Sequence, residues 1–268
     1  KDELSCIAFT QGPGLMGSLL VGGSFAKSMS MALNIPLIAI NHMKAHILAH
    51  FIDEEGYEKP EFPFLALTIS GGHTQIVQVN SFFDMKIIGE TTDDAVGEAF
   101  DKSAKILGLP YPGGPLVDKY ANEGNPKAFS FTKPKVDGLN FSFSGLKTQI
   151  LYFVQKNVKE NPNFIEENKA DICASIQFTI INILMDKLKK AVLETQINRI
   201  AIGGGVSANS GIRKTLKEAE KKFGWITHIP KFEYTTDNAA MIGIVGYYNY
   251  LEQNFSEADV VSKARIEF

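Results

Sequence analysis

Only two of the 268 residues are cysteine, Cys6 and Cys173, too few and too far apart for a disulfide framework. That excludes the disulfide-stapled secreted class and predicts a cytoplasmic protein in a reducing environment. No run approaches the ~20 apolar residues of a bilayer span, and the first residues lack a secretory signal pattern, so no membrane role is expected. A positive excess is missing as well: 27 Lys and Arg stand against 30 Asp and Glu, for a net charge of −3. Any polyanion must therefore be met by a local patch or a partner protein. No G-x-x-x-x-G-K-[ST] occurs, which excludes a P-loop NTPase. The K-D-E-L at positions 1–4 stands at the wrong terminus for a retention signal. A chain that opens on Lys1 and runs straight into a strand is expected to have lost its beginning.

What the chain does have is glycine placed at the ends of β-type runs. S-G-G-H at 70–73, Y-P-G-G-P at 111–115 and G-G-G-V-S-A-N at 203–209 each sit beside such a run or ahead of a helix. Glycine lets backbone amides approach an anion without a Cβ in the way, and a helix start adds about half a positive charge. Any one of these is an ordinary tight turn, but the three together point to a nucleotide.

With 44% hydrophobic and 21% charged residues, the composition is that of a soluble α/β protein. Strands are predicted at 5–10, 37–41, 64–69, 75–79, 86–90, 199–202 and 225–229. Helices are predicted to residue 33 after the G-P-G-L-M-G turn and at 42–52, 94–107, 144–156, 168–193, from about 210 to 222 and at 236–251. A further short helix is predicted at 116–122. The order strand-helix-strand-helix, then a meander, then helices, then strand-helix-strand-helix predicts two lobes rather than a barrel. Residues 1–62, completed by 238–268, form the expected first lobe and residues 63–237 the second.

Gly12-Pro13-Gly14-Leu15-Met16-Gly17 matches G-x-G-x-x-G between a strand and a helix, but the next strand ends in Asn41 and His42 rather than the acid that holds a ribose. A tight turn is the better reading than a dinucleotide site. His42 and His46 are four apart and project from one helix face about 6 Å apart, where they can share a cation, and His50 extends the row. A protease of the H-E-x-x-H type needs Glu after the first His, and Met43 stands there. Asp94, Glu98 and Asp101 form an acidic stripe on the expected helix, with Asp101 the candidate for a ligand hydroxyl. Asp237 reads as an N-cap that could also be a ligand. Phe141 to Thr148 mixes aromatics and hydroxyls near Lys127, Lys133, Lys135 and Lys147, a solvated loop or a polar lip for RNA.

Taken in order and spacing, seven segments resemble one family: N-H-M-K-A-H at 41–46, S-G-G-H-T at 70–74, G-E-A-F-D-K at 97–102, Y-P-G-G-P at 111–115, F-S-F-S-G-L-K-T at 141–148, G-G-G-V-S-A-N at 203–209 and T-D-N-A-A-M-I at 236–242. It is the tRNA adenosine threonylcarbamoyltransferase family, long labelled O-sialoglycoprotein endopeptidase. The resemblance implies an α/β, two-lobed fold like actin and the sugar kinases, with a ligand cleft between the lobes. It implies iron(II) or zinc on His42, His46 and Asp237, and an adenine nucleotide, threonylcarbamoyl-AMP or ATP, on Thr68, Ile69, Ser70, Gly71, Gly72, Asp101, Gly114, Asp118 and Asn209. It implies transfer of a threonylcarbamoyl group to the adenosine beside the anticodon of tRNA, and accessory protein subunits as partners. Two departures accompany it: Lys44 stands where relatives commonly carry an acid, and the family's amino-terminal hairpin is expected to be absent. The competing class is a catalytically idle nucleotide-binding paralogue or scaffold subunit, against which the intact His42, His46, Asp101, Asn209 and Asp237 speak; a metalloprotease ranks below it.

Overall fold

The structure is a computed structural model that describes residues 1, 3–266 and 268. β1 (Ile7–Gly12) and β2 (Leu37–Asn41) pair in parallel, which requires a crossover, and α1 (Met16–Leu33) supplies it. α1 ends at Asn34, held in the left-handed conformation at φ 52°, with Pro36 two residues on. β2 runs directly into α2 (His42–Leu48) and a single 3-10 turn at Ala49–Phe51.

A second sheet holds β3 (Phe64–Ile69), β4 (Thr74–Val79), β5 (Met85–Glu90), β6 (Arg199–Gly203) and β7 (Ile226–His228) in the order β5-β4-β3-β6-β7. β3, β4 and β5 form an antiparallel meander, while β6 and β7 continue parallel to β3. Between β5 and β6 lie α3 (Val96–Ile106), α4 (Gly113–Ala121), α5 (Ser144–Glu160) and α6 (Phe164–Thr195). α7 (Ser210–Phe223) joins β6 to β7, and α8 (Ala239–Leu251) follows β7 and packs against α2.

β3 is buried throughout and apolar except for Thr68, because both of its faces are covered. Leu65, Leu67 and Ile69 point into one core with Ile76, Ile200, Ile202, Phe100, Ile150 and the α6 row Ile172, Ile176, Ile180 and Leu184. Each of those α6 side chains is at most 1% exposed, and each such burial contributes about 1.5–3 kcal/mol. Phe64 and Ala66 point the other way, into a core with Ile38 and Ile40 of β2, Ile47 and Leu48 of α2, and Met241 and Val245 of α8. α2 and α8 thus sit at the seam between the sheets, and this seam positions the site. Among the described residues, no helix is long and apolar enough to cross a membrane.

Several boundaries differ from the sequence expectation, among them the starts of α3, α6 and α4. α3 begins at Val96, because Ala95 is extended and Asp94 lies before the helix, so Asp94, Glu98 and Asp101 are not one helical stripe. α6 begins at Phe164, and its first turn carries Glu166 and Glu167, which favour a helix start but hide the apolar period. α4 opens at Gly113, two glycines before the apolar residues that mark it.

Candidate functional site

Asn41 ends β2 and caps α2, its Oδ1 accepting from the amides of Met43 (2.9 Å) and Lys44 (3.2 Å). The cap fixes the first helical turn, so His42 and His46 rise on one face with ring centroids 4.8 Å apart, edge to face. Gly203 lets β6 close on this face: a Cβ there would lie 2.8 Å from the His46 carbonyl oxygen.

Across from the histidines, the α8 cap is Asn238, whose Oδ1 accepts from the Met241 amide at 2.8 Å. Asp237 is therefore not the cap. Its Oδ1 lies 3.1 Å from His42 Nε2 and 3.3 Å from His46 Nε2. Hydrogen bonds from His42 and then His46 hold its carboxyl well below the usual range, against the opposing pull of burial. The donor atoms of the trio all lie within 4.8 Å of one another. Two imidazoles and one carboxylate on a half-open face make a donor set suited to iron or zinc. His50 does not extend the row. Its Nε2 meets the Ile202 carbonyl at 2.8 Å and its Nδ1 meets the Tyr57 hydroxyl, and burial pushes it down to about 4.

The trio lines a cleft of about 1390 Å³ together with Ser70, Gly71, Gly72 and His73. The Ser70–His73 turn closes on itself, the Ser70 amide donating to the His73 carbonyl at 2.9 Å and the His73 amide to Ser70 Oγ at 3.0 Å. A second cavity of about 460 Å³ meets the cleft at Gly71, Gly205 and Thr236, and Asp101, Gly114, Asp118 and Asn209 also line it. The three glycines at the end of β6 divide the work. Gly203 and Gly204 permit close approach, Gly204 at φ +88° with a Cβ position 2.5 Å from the Ile69 oxygen, whereas nothing lies within 4 Å of the Gly205 Cβ position.

Asp101 caps α4 from outside, its Oδ1 accepting from the amides of Gly113 (2.8 Å) and Gly114 (3.1 Å). Asp118 accepts from the Ser210 amide at 2.9 Å, and Asn209 caps α7 through the Ile212 amide at 3.0 Å. Of the sequence candidates, Ser70, Gly71, Gly72, Asp101, Gly114, Asp118, Asn209, His42, His46 and Asp237 come together around these two spaces. Thr68 and Ile69 do not: both side chains are fully buried in β3. In the Phe141–Thr148 segment the aromatics turn inward, while Ser142, Ser144, Lys147 and Thr148 stay at least partly exposed. Phe141 and Phe143 are core, and Asp93 caps α5 by accepting from the amides of Phe143 (2.8 Å) and Ser144 (3.3 Å). Gln177 was not singled out in the sequence, and Thr236 only as the first residue of T-D-N-A-A-M-I. The signal for Gln177 was a long polar side chain inside the apolar stretch of α6.

Sheet, seam helices and trio define a two-lobed α/β cleft protein with a candidate cation site at the cleft. HypF from T. kodakarensis shares the fold, with a TM-score of 0.65 at 15% identity, covering 92% of this chain and 41% of that one. Full-length HypF in its phosphate- and nucleotide-bound form gives 0.60 at 13% identity over 85% of this chain and 38% of that one. This chain therefore spans about two-fifths of the HypF chains. Residues 1–244 match the family TsaD, tRNA N6-adenosine threonylcarbamoyltransferase. Proteins of that name from Christiangramia forsetii and Cytophaga hutchinsonii are 72% and 56% identical, over 100% and 99% of this chain and 79% and 77% of their own lengths. The chain belongs to the tRNA N6-adenosine threonylcarbamoyltransferase family.

Proposed function

We propose that this chain transfers the threonylcarbamoyl group of threonylcarbamoyl-AMP to the exocyclic amine of the adenosine next to the anticodon, in tRNAs that read codons beginning with A. The observation that carries the reading beyond family membership is that His42, His46 and Asp237 share a cleft that opens, at two glycine turns, into a cavity lined by Asp101, Asp118 and Asn209. Reaction joins the amine to the carbamoyl carbon while the bond from that carbon to the phosphate oxygen breaks, and AMP leaves.

His42, His46 and Asp237 would hold one iron(II) or zinc. When bound, the ion supplies Lewis acidity toward the carbamoyl oxygen or the phosphate. Asp101 fixes Gly113 and Gly114, and Gly71, Gly72 and Gly205, with nothing within 4 Å of their Cβ positions, leave open backbone for the phosphate side. Asp118 and Asn209 take the sugar side. Holding both partners in this geometry supplies catalysis through orientation. Residues 1–62 with 238–268 form one lobe and residues 63–237 the other. Accessory subunits assist binding of tRNA.

Supplying threonylcarbamoyl-AMP and unmodified tRNA tests the reading directly. Modified adenosine should form, and Asp101→Ala and Asn209→Ala should each weaken AMP binding by about tenfold in calorimetry. Unchanged AMP affinity in both variants removes the proposed site.

A further inference from the structure

The geometry points to Gln177 as a positioning residue that fixes the hydrogen-bond polarity of the sugar side of the cavity. Gln177 lies in the middle of α6, is 6% exposed and does not line the cavity. Its Nε2 donates to Asp118 Oδ1 at 3.0 Å, and its Oε1 accepts from Asn209 Nδ2 at 2.7 Å. It thus bridges the side chain of Asp118 in α4 to that of Asn209, the cap of α7, and both of these line the cavity.

The direction of this relay is determined at both ends. The Asp118 carboxylate only accepts, so Gln177 must present its NH2 group there and its carbonyl to Asn209. At the far end the Ile212 amide only donates, so Asn209 must present Oδ1 to it and Nδ2 to Gln177. Neither side-chain amide can flip without setting like groups against each other.

Counting partners shows what remains for a ligand. Asp118 Oδ1 accepts from Gln177 and from Ser210 Oγ at 2.7 Å, and Oδ2 accepts from the Ser210 amide. One acceptor position stays on Oδ2, and one N–H stays on Asn209 Nδ2. One acceptor beside one donor suits the hydroxyls of a ribose. Gly211 is a second, independent sign that the slot is built for this side chain: a Cβ there would lie 2.8 Å from Gln177 Nε2 and 3.3 Å from Asn209 Oδ1.

The inference rests on the proposed nucleotide site and adds the residue behind it. Calorimetry with ATP and with 2′,3′-dideoxy-ATP tests it on the parent, Gln177→Leu, Gln177→Glu, Asp118→Ala and Asn209→Ala, with melting temperature and metal content as checks on folding. The parent should prefer ATP by about tenfold, the size of one or two net hydrogen bonds. Gln177→Leu should bring that preference close to one while leaving dideoxy-ATP affinity unchanged; a merely structural role would weaken both nucleotides alike and overturn the inference. Gln177→Glu keeps the volume but sets a carboxylate against Asp118, and it should lose the preference too, giving the result if the Leu variant does not fold. If Asp118→Ala and Asn209→Ala lose the preference while both Gln177 variants keep it, the relay falls and the site stands. If the parent shows no preference for ATP, the sugar placement falls and the relay with it.

Discussion

Asp237 and Asn238 are adjacent, and only one of them can cap α8. Because Asn238 does so, Asp237 projects back over α2, where a single carboxylate oxygen faces both imidazoles. Three donors each contribute to holding a cation, so removing one should cost most of the affinity. His46→Ala and Asp237→Ala should each purify with less than about a tenth of the parent's metal by elemental analysis; the parent's metal content in either variant would refute the assignment. His50 makes the opposite case, a histidine used for structure. Burial holds it at about 4 in the folded chain, against about 6.5 unfolded. Between those values the unfolded chain binds a proton that the folded chain does not. Stability from this group is therefore complete above about pH 6.5 and falls as the pH drops toward 4. In urea unfolding, the parent should lose on the order of 2 kcal/mol more than His50→Gln between pH 7 and pH 5. Parallel losses in the two proteins would show that His50 does not titrate this way.

Most elements were legible where a pattern and a stop signal coincide. β3 is a run apolar except for Thr68 and bounded by Pro63 and Ser70, α7 is opened by Asn209 and closed by Gly224 at φ +69°, and β2 ends at the capping Asn41. The start of α3 was not legible, because Asp93 and Asp94 look like a helix entrance, yet Asp93 serves as the cap of α5, far along the chain. The candidate cation trio was legible in its histidines through their spacing and in its carboxylate as a cap that could also be a ligand, since nothing local distinguishes the two roles of Asp237 and family resemblance alone favours the second. Gln177 escaped because its partners lie 59 and 32 residues away. The packing of elements against the turns yields its own prediction. A Cβ on Gly97, in the first turn of α3, would lie 2.6 Å from the Ser70 oxygen and 2.8 Å from Gly71 Cα. Gly97→Ala must push α3 off the Ser70–His73 turn and should cost about 1–3 kcal/mol of stability, together with weaker AMP binding. Gly22→Ala, in α1 with nothing within 4 Å of its Cβ position, should instead stabilise by about 0.5–1 kcal/mol. Thermal unfolding of the pair that gave the same sign for both would contradict the packing described.

At the scale of the whole molecule, charge and substrate are mismatched. The family acts on tRNA, and each phosphate contact adds to a steep salt dependence, yet the net charge here is −3. The lysines that could compensate are partly committed: Lys133 pairs with Asp186, Lys147 lies 3.9 Å from Asp94, Lys217 pairs with Glu220, and Lys187 donates to the carbonyls of Val136 and Gly138. α1 meanwhile leaves Val21, Phe25 and Met31 at least 70% exposed on a single helix, with Val21 and Phe25 one turn apart, and exposed apolar surface favours protein contacts. An accessory subunit that covers apolar surface and brings positive charge would resolve both features. Transfer onto unmodified tRNA should therefore be slow and limited to few turnovers with this chain alone. It should rise when a basic partner subunit is added, and the stimulated rate should fall steeply as salt rises from 50 to 200 mM, a range over which several phosphate contacts weaken binding about a thousandfold or more. Robust multiple turnover by the chain alone, with a shallow salt dependence, would mean that its own surface suffices for tRNA and that no partner is required.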